Sequence, residues 1–468
     1  MAADYWIWLD IGTRELAFFA AFWFFLGGVD ELLVDLVWFR SRGQRAIANI
    51  TEVESVSGSP KQFAIFIAAW KEADVIGETL RNMVTKWQGD HVRIFLGCYA
   101  NDPDTLKAAM KINADPRLQI VINPYHGPTS KAQCLNEMWQ AMAQYEEDCG
   151  QRFDAVVLHD AEDMVHADAL AAFSVEMDDH EVVQLPVIPL IHPQSPLVSG
   201  HYADEFAEAH GKAMVVRDYL KAGLPLAGVG CAINRDVLQQ IADSPQREGL
   251  AGPFSEDSLT EDYELGLLLH MMGARATLCR RKAANGEWIA TRAYFPHKRV
   301  DSVRQKSRWI AGIALNGWDR IGWHGGWAEF WMRLRDRRTV LNALVLSAAY
   351  LAILGSGLLM LASWLGVYNG LPFSPLLQTL LWLNLVFLLW RIMMRIAFTA
   401  DLYGFPQGLL AMPRIVVANF ITILAARRAL GIYCNMLMGA PLHWDKTSHY
   451  VVKRDSISEP SLHSRVAR

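Results

Sequence analysis

An α/β domain with a mostly parallel sheet, carried between α-helical membrane segments, is the fold class that the sequence predicts. Three observations predict it. Residues 60–300 alternate short β-rich runs with helical stretches, and such alternation implies right-handed crossovers and parallel pairing. Residues 16–39 are mostly apolar and long enough to span a ~30 Å hydrocarbon core. No comparable apolar run follows until residue 340.

Composition agrees with a chain that is partly in lipid. Its 468 residues suffice for two or three domains at ~150 residues each. Hydrophobic residues make up 52% and charged ones 20%. A mean hydropathy of +0.12 lies between soluble and membrane averages and excludes a disordered chain. Acidic residues exceed basic ones, 49 against 44, for a net charge of −5, and the pI is about 6.3. Nucleic-acid binders usually show the opposite balance, so no nucleic-acid partner is expected. Six cysteines, at 98, 134, 149, 231, 279 and 434, include no Cys-x-x-Cys pair, which speaks against a disulfide scaffold or a structural zinc site.

The first apolar run lacks the basic n-region and small-residue cleavage site of a signal peptide. Asp30, Glu31 and Asp35 are unusual within it. Intramembrane carboxylates are costly, so they are expected near its cytoplasmic end or facing protein. Arg40, Arg42 and Arg45 follow, and the positive-inside rule puts the chain after residue 40 in the cytoplasm.

The strand candidates are residues 62–70, 92–99, 118–123 and 154–160, with helices expected at 74–87, 103–114, 130–146 and 167–178. Asp102 followed by Pro103 is a helix start signal. Trp318, Trp323, Trp327 and Trp331, interleaved with arginines, suggest a helix lying at the headgroups. Residues 340–366 form a second span, preceded by Arg333, Arg335, Arg337 and Arg338, which again places its start in the cytoplasm. Residues 375–390 form a third, returning to Arg391 and Arg395. In 409–426, Arg414 leaves only Ile415–Ala426 uninterrupted. Twelve residues at ~1.5 Å each cannot cross ~30 Å, so this stretch reads as an interfacial or re-entrant helix rather than a fourth span.

Ligands of parallel sheets bind outside the carboxyl ends of the strands, which directs attention to Glu72, Asp102 and Asp160. Asp160, Glu162 and Asp163 crowd the end of the run VVLHD. They repel one another unless a cation sits among them, and Mg²⁺ or Mn²⁺ bridging a diphosphate would serve. A solvated acidic loop capping the next helix explains the motif equally well. Thr260-Glu261-Asp262 opens the apolar run YELGLLLHMMG. It reads either as an ordinary helix start with Thr as cap or as the site of a general base. Gln305-Lys306-Ser307-Arg308-Trp309 reads as a basic amphipathic helix, or as a sugar platform of Trp309 with hydrogen-bonding Gln305 and Arg308.

In this order and spacing, Asp102, the acidic run 160–163, Thr260-Glu261-Asp262 and Gln305-x-x-Arg308-Trp309, ahead of a membrane region, resemble the family 2 inverting glycosyltransferases of GT-A fold. The Q-x-x-R-W element is similar to that of processive members such as cellulose, chitin and hyaluronan synthases. The overall layout is similar to the bacteriophage N4 adsorption protein B group, in which a family 2 domain sits between membrane segments. The resemblance covers roughly residues 60–320 and the membrane region after them.

The resemblance implies roles. Glu72 and Asp102 would hold the nucleotide base and ribose, Lys131 the uracil or diphosphate, and Asp160 the diphosphate and metal. Asp262, with Glu261 beside it, would deprotonate the acceptor hydroxyl. Gln305, Arg308 and Trp309 would form the acceptor and leaving-group platform, and the Trp444-Asp445-Lys446-Thr447 run would gate the site. Two departures stand out: Ala69-Trp70-Lys71-Glu72 lacks the family's usual Pro and Asn, and Glu162 replaces the second Asp of D-x-D, leaving Glu162 or Asp163 as second metal ligand. Related adsorption proteins can also carry an additional C-terminal regulatory domain. The tail after 450 is too short for one, so regulation through it is not expected.

The expected organisation is an N-terminal anchor (1–45), a cytoplasmic GT-A domain (46–315), an interfacial segment (316–338), transmembrane and interfacial helices (339–430) and a cytoplasmic tail (431–468). The expected activity is transfer of a sugar, with inversion, from a nucleotide-diphospho-sugar (a UDP-sugar by preference) to a growing exopolysaccharide or lipid-linked glycan at the bacterial inner membrane. Membrane lipid and a secretion partner or second copy of the chain are the further partners expected. A single-addition lipid glycosyltransferase and a non-catalytic phage-receptor scaffold with the same fold are the rival readings.

Overall fold

A computed structural model of the chain describes residues 2–42, 61–112, 115–244 and 251–439. Arg45 and the 444–447 run lie outside the described residues, as does the tail from 440.

Helix α1 (Ala2–Arg42) precedes an α/β unit. It begins β1 (Phe63–Ala68), α2 (Ile76–Lys86), β2 (Val92–Tyr99), α3 (Pro103–Met110), β3 (Leu118–Asn123), α4 (Lys131–Cys149), β4 (Ala155–Asp160) and α5 (Ala169–Glu176). The four strands and four helices expected from the alternation are all present. Next come β5 (Val182–Gln184), β6 (Val187–Leu190), α6 (Gly200–Glu208), α7 (Met214–Tyr219), β7 (Cys231–Asn234), α8 (Arg235–Ala242) and α9 (Glu261–Met271). Strands β8 (Ala276–Leu278) and β9 (Thr291–Tyr294) and helix α10 (Arg299–Trp309) complete the unit.

Seven strands form one sheet in the order β3-β2-β1-β4-β7-β5-β8, and β6 pairs with β9 in a second. Pairing is parallel except that β7 runs antiparallel to both β4 and β5. Alternation along β1 buries both faces of the sheet. Phe63, Ile65 and Ile67 pack with Ile76, Leu80 and Met83 of α2, while Ala64 and Phe66 pack with Leu135, Met138 and Trp139 of α4. Chain order reverses between β1 and β4, where Ala68 lies beside Asp160. Such a switch point opens a crevice at the carboxyl ends of the strands.

Beyond the sheet, α11 (Gly317–Ile321) and α12 (Trp327–Arg337) replace the single tryptophan-rich helix expected from sequence. Gly322 and Gly325 adopt positive φ, +61° and +93°, and break it. Trp327 is 87% exposed, but Trp331 turns inward and donates from Nε1 to Asp30 at 2.6 Å.

Helices α1, α13 (Thr339–Trp364), α14 (Pro375–Tyr403) and α15 (Phe405–Leu437) are long and apolar enough to cross a membrane. Asp30, Glu31 and Asp35 of α1 meet cationic side chains, as charge in an apolar helix requires. Asp30 and Glu31 meet Arg335 and Arg338, and Asp35 meets Lys212 at 2.8 Å. The α15 helix corrects the sequence argument about Arg414. Rather than interrupting the run, Arg414 is fully buried inside one continuous helix, 3.0 Å from Asp204 of α6. The absence of a side chain at Gly200 makes room for it: a Cβ there would sit 2.3 Å from Arg414 Nε. Toward the other end of α15, Ala425, Ala426 and Ala429 pack on Ile310, Ala311 and Ala314, and the Tyr433 hydroxyl bonds Asp319 of α11 at 2.5 Å.

Candidate active site

The cleft opens at the β1/β4 switch point and is continuous with solvent. Glu72, Lys131, Asp160, Glu162, Asp163, Glu261, Asp262, Gln305, Arg308 and Trp309 all border it. Residues spread over more than two hundred positions thus meet in one place.

At its floor the Lys131 ammonium lies 2.5 Å from Asp160 Oδ1. Lys131 is the first residue of α4, and the preceding Ser130 caps that helix by accepting from the Gln133 amide. Burial alone would pull this ammonium down, but the Asp160, Glu261 and Asp262 carboxylates outweigh it and hold its pKa above the ordinary lysine value. Asp262 is in the first turn of α9, where its Oδ1 accepts from the Tyr263 amide at 2.8 Å. Burial first, then the adjacent Glu261 charge, pushes the Asp262 carboxyl up to about 7, against the pull of Lys131. Thr260 does not cap α9 as the sequence suggested. Its hydroxyl is buried with no hydrogen-bond partner among the described residues.

The three crowded carboxylates separate into different roles. Strand β4 ends at Asp160, and the next residues turn. Asp163 is buried in that turn, where it accepts from the Asp160 amide at 3.0 Å and bonds His159 Nδ1 at 2.8 Å. Burial raises its pKa against the pull of His159. Asp163 therefore braces the strand end, and Asp160 and Glu162 are the carboxylates left to serve the cleft. Among the described residues no group of three or more His, Cys, Asp or Glu surrounds a metal position. Two carboxylates suit an ion that arrives with substrate phosphates, a usual magnesium arrangement.

Glu72 borders the cleft, with its amide bonded to Thr105 Oγ1 at 2.9 Å. Asp102 acts one step back. Its carboxylate accepts from the Lys71 amide at 2.5 Å and from the Thr105 amide at 3.4 Å, capping α3 and holding the loop that carries Glu72.

Opposite these groups, α10 presents Gln305, Arg308 and Trp309. Gln305 Oε1 and Arg308 Nε are buried without partners among the described residues. Such atoms cost ~1–3 kcal/mol each when left unpaired, which marks a surface shaped for a polar ligand. Lys306, between them, is drawn away by Glu205 at 2.7 Å. The Trp309 ring packs with Tyr202, Phe206 and Phe295 at 6.1, 6.3 and 6.4 Å.

Sequence reasoning missed Phe206 and Phe295, which carry no motif. It also missed Gly228, where a Cβ would lie 2.4 Å from Asp262 Oδ2 and where φ is +71°. The Gly228-Val229-Gly230 pair of glycines was the available signal.

The sequence matches the family described as glycosyltransferase like family 2 over residues 60–312, more than half of the chain. The chain belongs to glycosyltransferase family 2. The sheet with its switch-point cleft is the GT-A fold of this family. The family 2 chain is 33% identical over 475 aligned residues to bacteriophage adsorption protein B of Escherichia coli K12 and, equally, to bacteriophage N4 adsorption protein B of Escherichia coli O157:H7. The alignment takes in 94% of this chain and spans 62% of those relatives' length. A solved mannosyltransferase of Pyrobaculum calidifontis, in complex with GDP-Man and Mn²⁺, aligns at a TM-score of 0.49 and 16% identity over 90% of this glycosyltransferase and 99% of that chain.

Proposed function

We propose that this family 2 glycosyltransferase transfers a sugar, with inversion, from a nucleotide-diphospho-sugar to a growing exopolysaccharide or lipid-linked glycan. The observation that carries the reading is the placement of Asp262. It is a half-buried carboxyl whose pKa is pushed up to about 7, and it borders the same cleft as the Lys131–Asp160 pair, Gln305, Arg308 and Trp309. A general base works best when its pKa is near the operating pH.

Glu72 and the loop held by Asp102 bind the nucleoside, and Lys131 turns to the diphosphate. Asp160 and Glu162 would hold Mg²⁺ or Mn²⁺, which when bound stabilises the leaving diphosphate as a Lewis acid. Gln305 and Arg308 satisfy their unpaired atoms on hydroxyl or phosphate oxygens, and Trp309 offers an apolar face to a sugar. Asp262 removes the proton from the acceptor hydroxyl as its oxygen attacks the anomeric carbon. One base and one in-line displacement give inversion without a covalent enzyme intermediate.

The catalytic unit is on the cytoplasmic side of a bacterial inner membrane, and α1, α13 and α14 cross it. Helix α15 lies in the interface. Support comes from its two tethers, Arg414 to Asp204 of the α/β unit and Tyr433 to Asp319 of α11, the short helix that follows that unit. A UDP-sugar is the preferred donor. The test is a nucleotide-sugar panel with membranes containing the protein, scored by release of nucleotide diphosphate. Release with none of the sugars would favour the non-catalytic scaffold. Product length on a gel separates chain growth from single addition.

A further inference from the structure

The cleft has a smaller neighbour. Val187 borders both, and Phe206, which lines the larger, stacks on His210 with ring centroids 5.5 Å apart and planes 11° from parallel. Behind His210 is a small pocket, open to the surface, that Arg280, Trp288, Phe398 and Asp401 also border.

His210 lies on a π-helical segment, Ala209–Ala213. Single-turn π segments inside helices are frequent at functional sites. The side chain is 6% exposed, and its Nδ1 has no hydrogen-bond partner among the described residues. Burial, with Arg280 adding to it, pushes the imidazole down to about 3, so it is neutral near pH 7, with one donor and one acceptor nitrogen. Arg280 stacks 4.9 Å from the Trp288 ring, and Lys282 lies 4.8 Å from the same ring. Burial holds the Arg280 pKa below its ordinary value, and the Asp401 charge offsets this only in part. Among the described residues no carboxylate hydrogen-bonds the Arg280 guanidinium; a partly desolvated guanidinium in that state is unfavourable, and an anion in the pocket would relieve it.

The approach to the pocket is apolar. Trp382, Val386, Leu389 and Met393 of α14 are 70, 61, 59 and 50% exposed. Their three- and four-residue spacing makes one stripe on the helix, and two further four-residue steps along it reach Asp401 at the pocket. A hydrocarbon chain on that stripe carries its polar end to Arg280 and His210.

We propose that this pocket binds the phosphate group of a membrane lipid, with Arg280 as counter-ion, His210 as hydrogen-bonding partner and the lipid chain on the α14 stripe. A lipid held there has its headgroup one ring away from Trp309 and the acceptor platform, where a lipid-linked acceptor would need it. That last step rests on the transferase reading, whereas phosphate binding does not.

The test uses the full chain in neutral detergent without any nucleotide sugar. Calorimetric titrations compare short-chain phosphatidic acid, diacylglycerol of the same chains and inorganic phosphate. Phosphatidic acid should bind most tightly, and Arg280→Gln should weaken it about tenfold or more, as loss of a charge-assisted hydrogen bond does. His210→Phe keeps the ring stack on Phe206 but removes both nitrogens, and is read in the same way if Arg280→Gln does not fold. Equal binding of diacylglycerol would overturn the phosphate. Equal binding of inorganic phosphate would overturn the lipid as its source. Unchanged affinity in the variants would overturn the location.

Discussion

The Lys131 ammonium occupies Asp160 Oδ1 at 2.5 Å, so the strand-end carboxylate already has a cation beside it before any donor binds. Donor and metal must compete with this contact, and the diphosphate gives Lys131 an alternative partner. Asp160→Ala should therefore lose donor binding and activity together. Lys131→Met should weaken nucleotide diphosphate binding, while its activity should need less Mg²⁺ or Mn²⁺ than the unaltered protein, because the competing ammonium is gone from Asp160. Full activity in excess EDTA would remove the metal from the scheme. Calorimetric donor binding and diphosphate release check all three.

Asp262→Asn should leave nucleotide binding intact and cut turnover ~10²–10⁴-fold, the range for a positioned general base. The sign of the pH effect follows from the raised pKa. The base works ionised, and its carboxyl is held up at about 7, so kcat/KM should rise with pH through that value. A profile still flat from pH 5.5 to 8.5 would separate Asp262 from proton transfer.

Glu162 and Asp163, adjacent in sequence, should respond differently to alanine. Asp163 bonds both His159 and the Asp160 amide while buried. Asp163→Ala should therefore lower stability by ~1–3 kcal/mol, the cost of stranding buried partners, as measured by thermal unfolding. Glu162→Ala should leave the melting temperature close to that of the unaltered protein and raise the metal concentration needed for activity. Equal effects on stability would refute this division.

Topology can be read from two native cysteines. Cys149 and Cys434 are exposed, whereas Cys98, Cys134, Cys231 and Cys279 are buried. If α15 stays in the interface, Cys149 and Cys434 share the cytoplasmic side. In separate Cys149→Ser and Cys434→Ser variants, a membrane-impermeant maleimide should then label the remaining thiol only after permeabilisation. Labelling of Cys434 alone in intact cells would make α15 a crossing helix.

Much was legible in the sequence because it is encoded locally. Alternating β-rich and helical runs marked β1 to β4 and the helices between them, and long apolar runs marked α1, α13 and α14. Strand ends pointed to Asp160, and motif order pointed to Asp262 and Gln305-x-x-Arg308-Trp309, because ligands of a parallel sheet bind where its strands end. Tertiary structure alone decided what each charged group does. Asp163 and Glu162 have the same chemistry, but a turn after β4 sends one into the core and leaves the other at the cleft. Arg414 resembled a break in an apolar helix until Asp204, 210 positions away, was found to neutralise it. Asp30, Glu31 and Asp35 likewise sit in an apolar run because arginines and a lysine from distant segments meet them. Phe206 and Phe295 reach Trp309 only through packing. A charge or ring is assigned its role by its partners, and partners far apart in sequence are chosen by the fold.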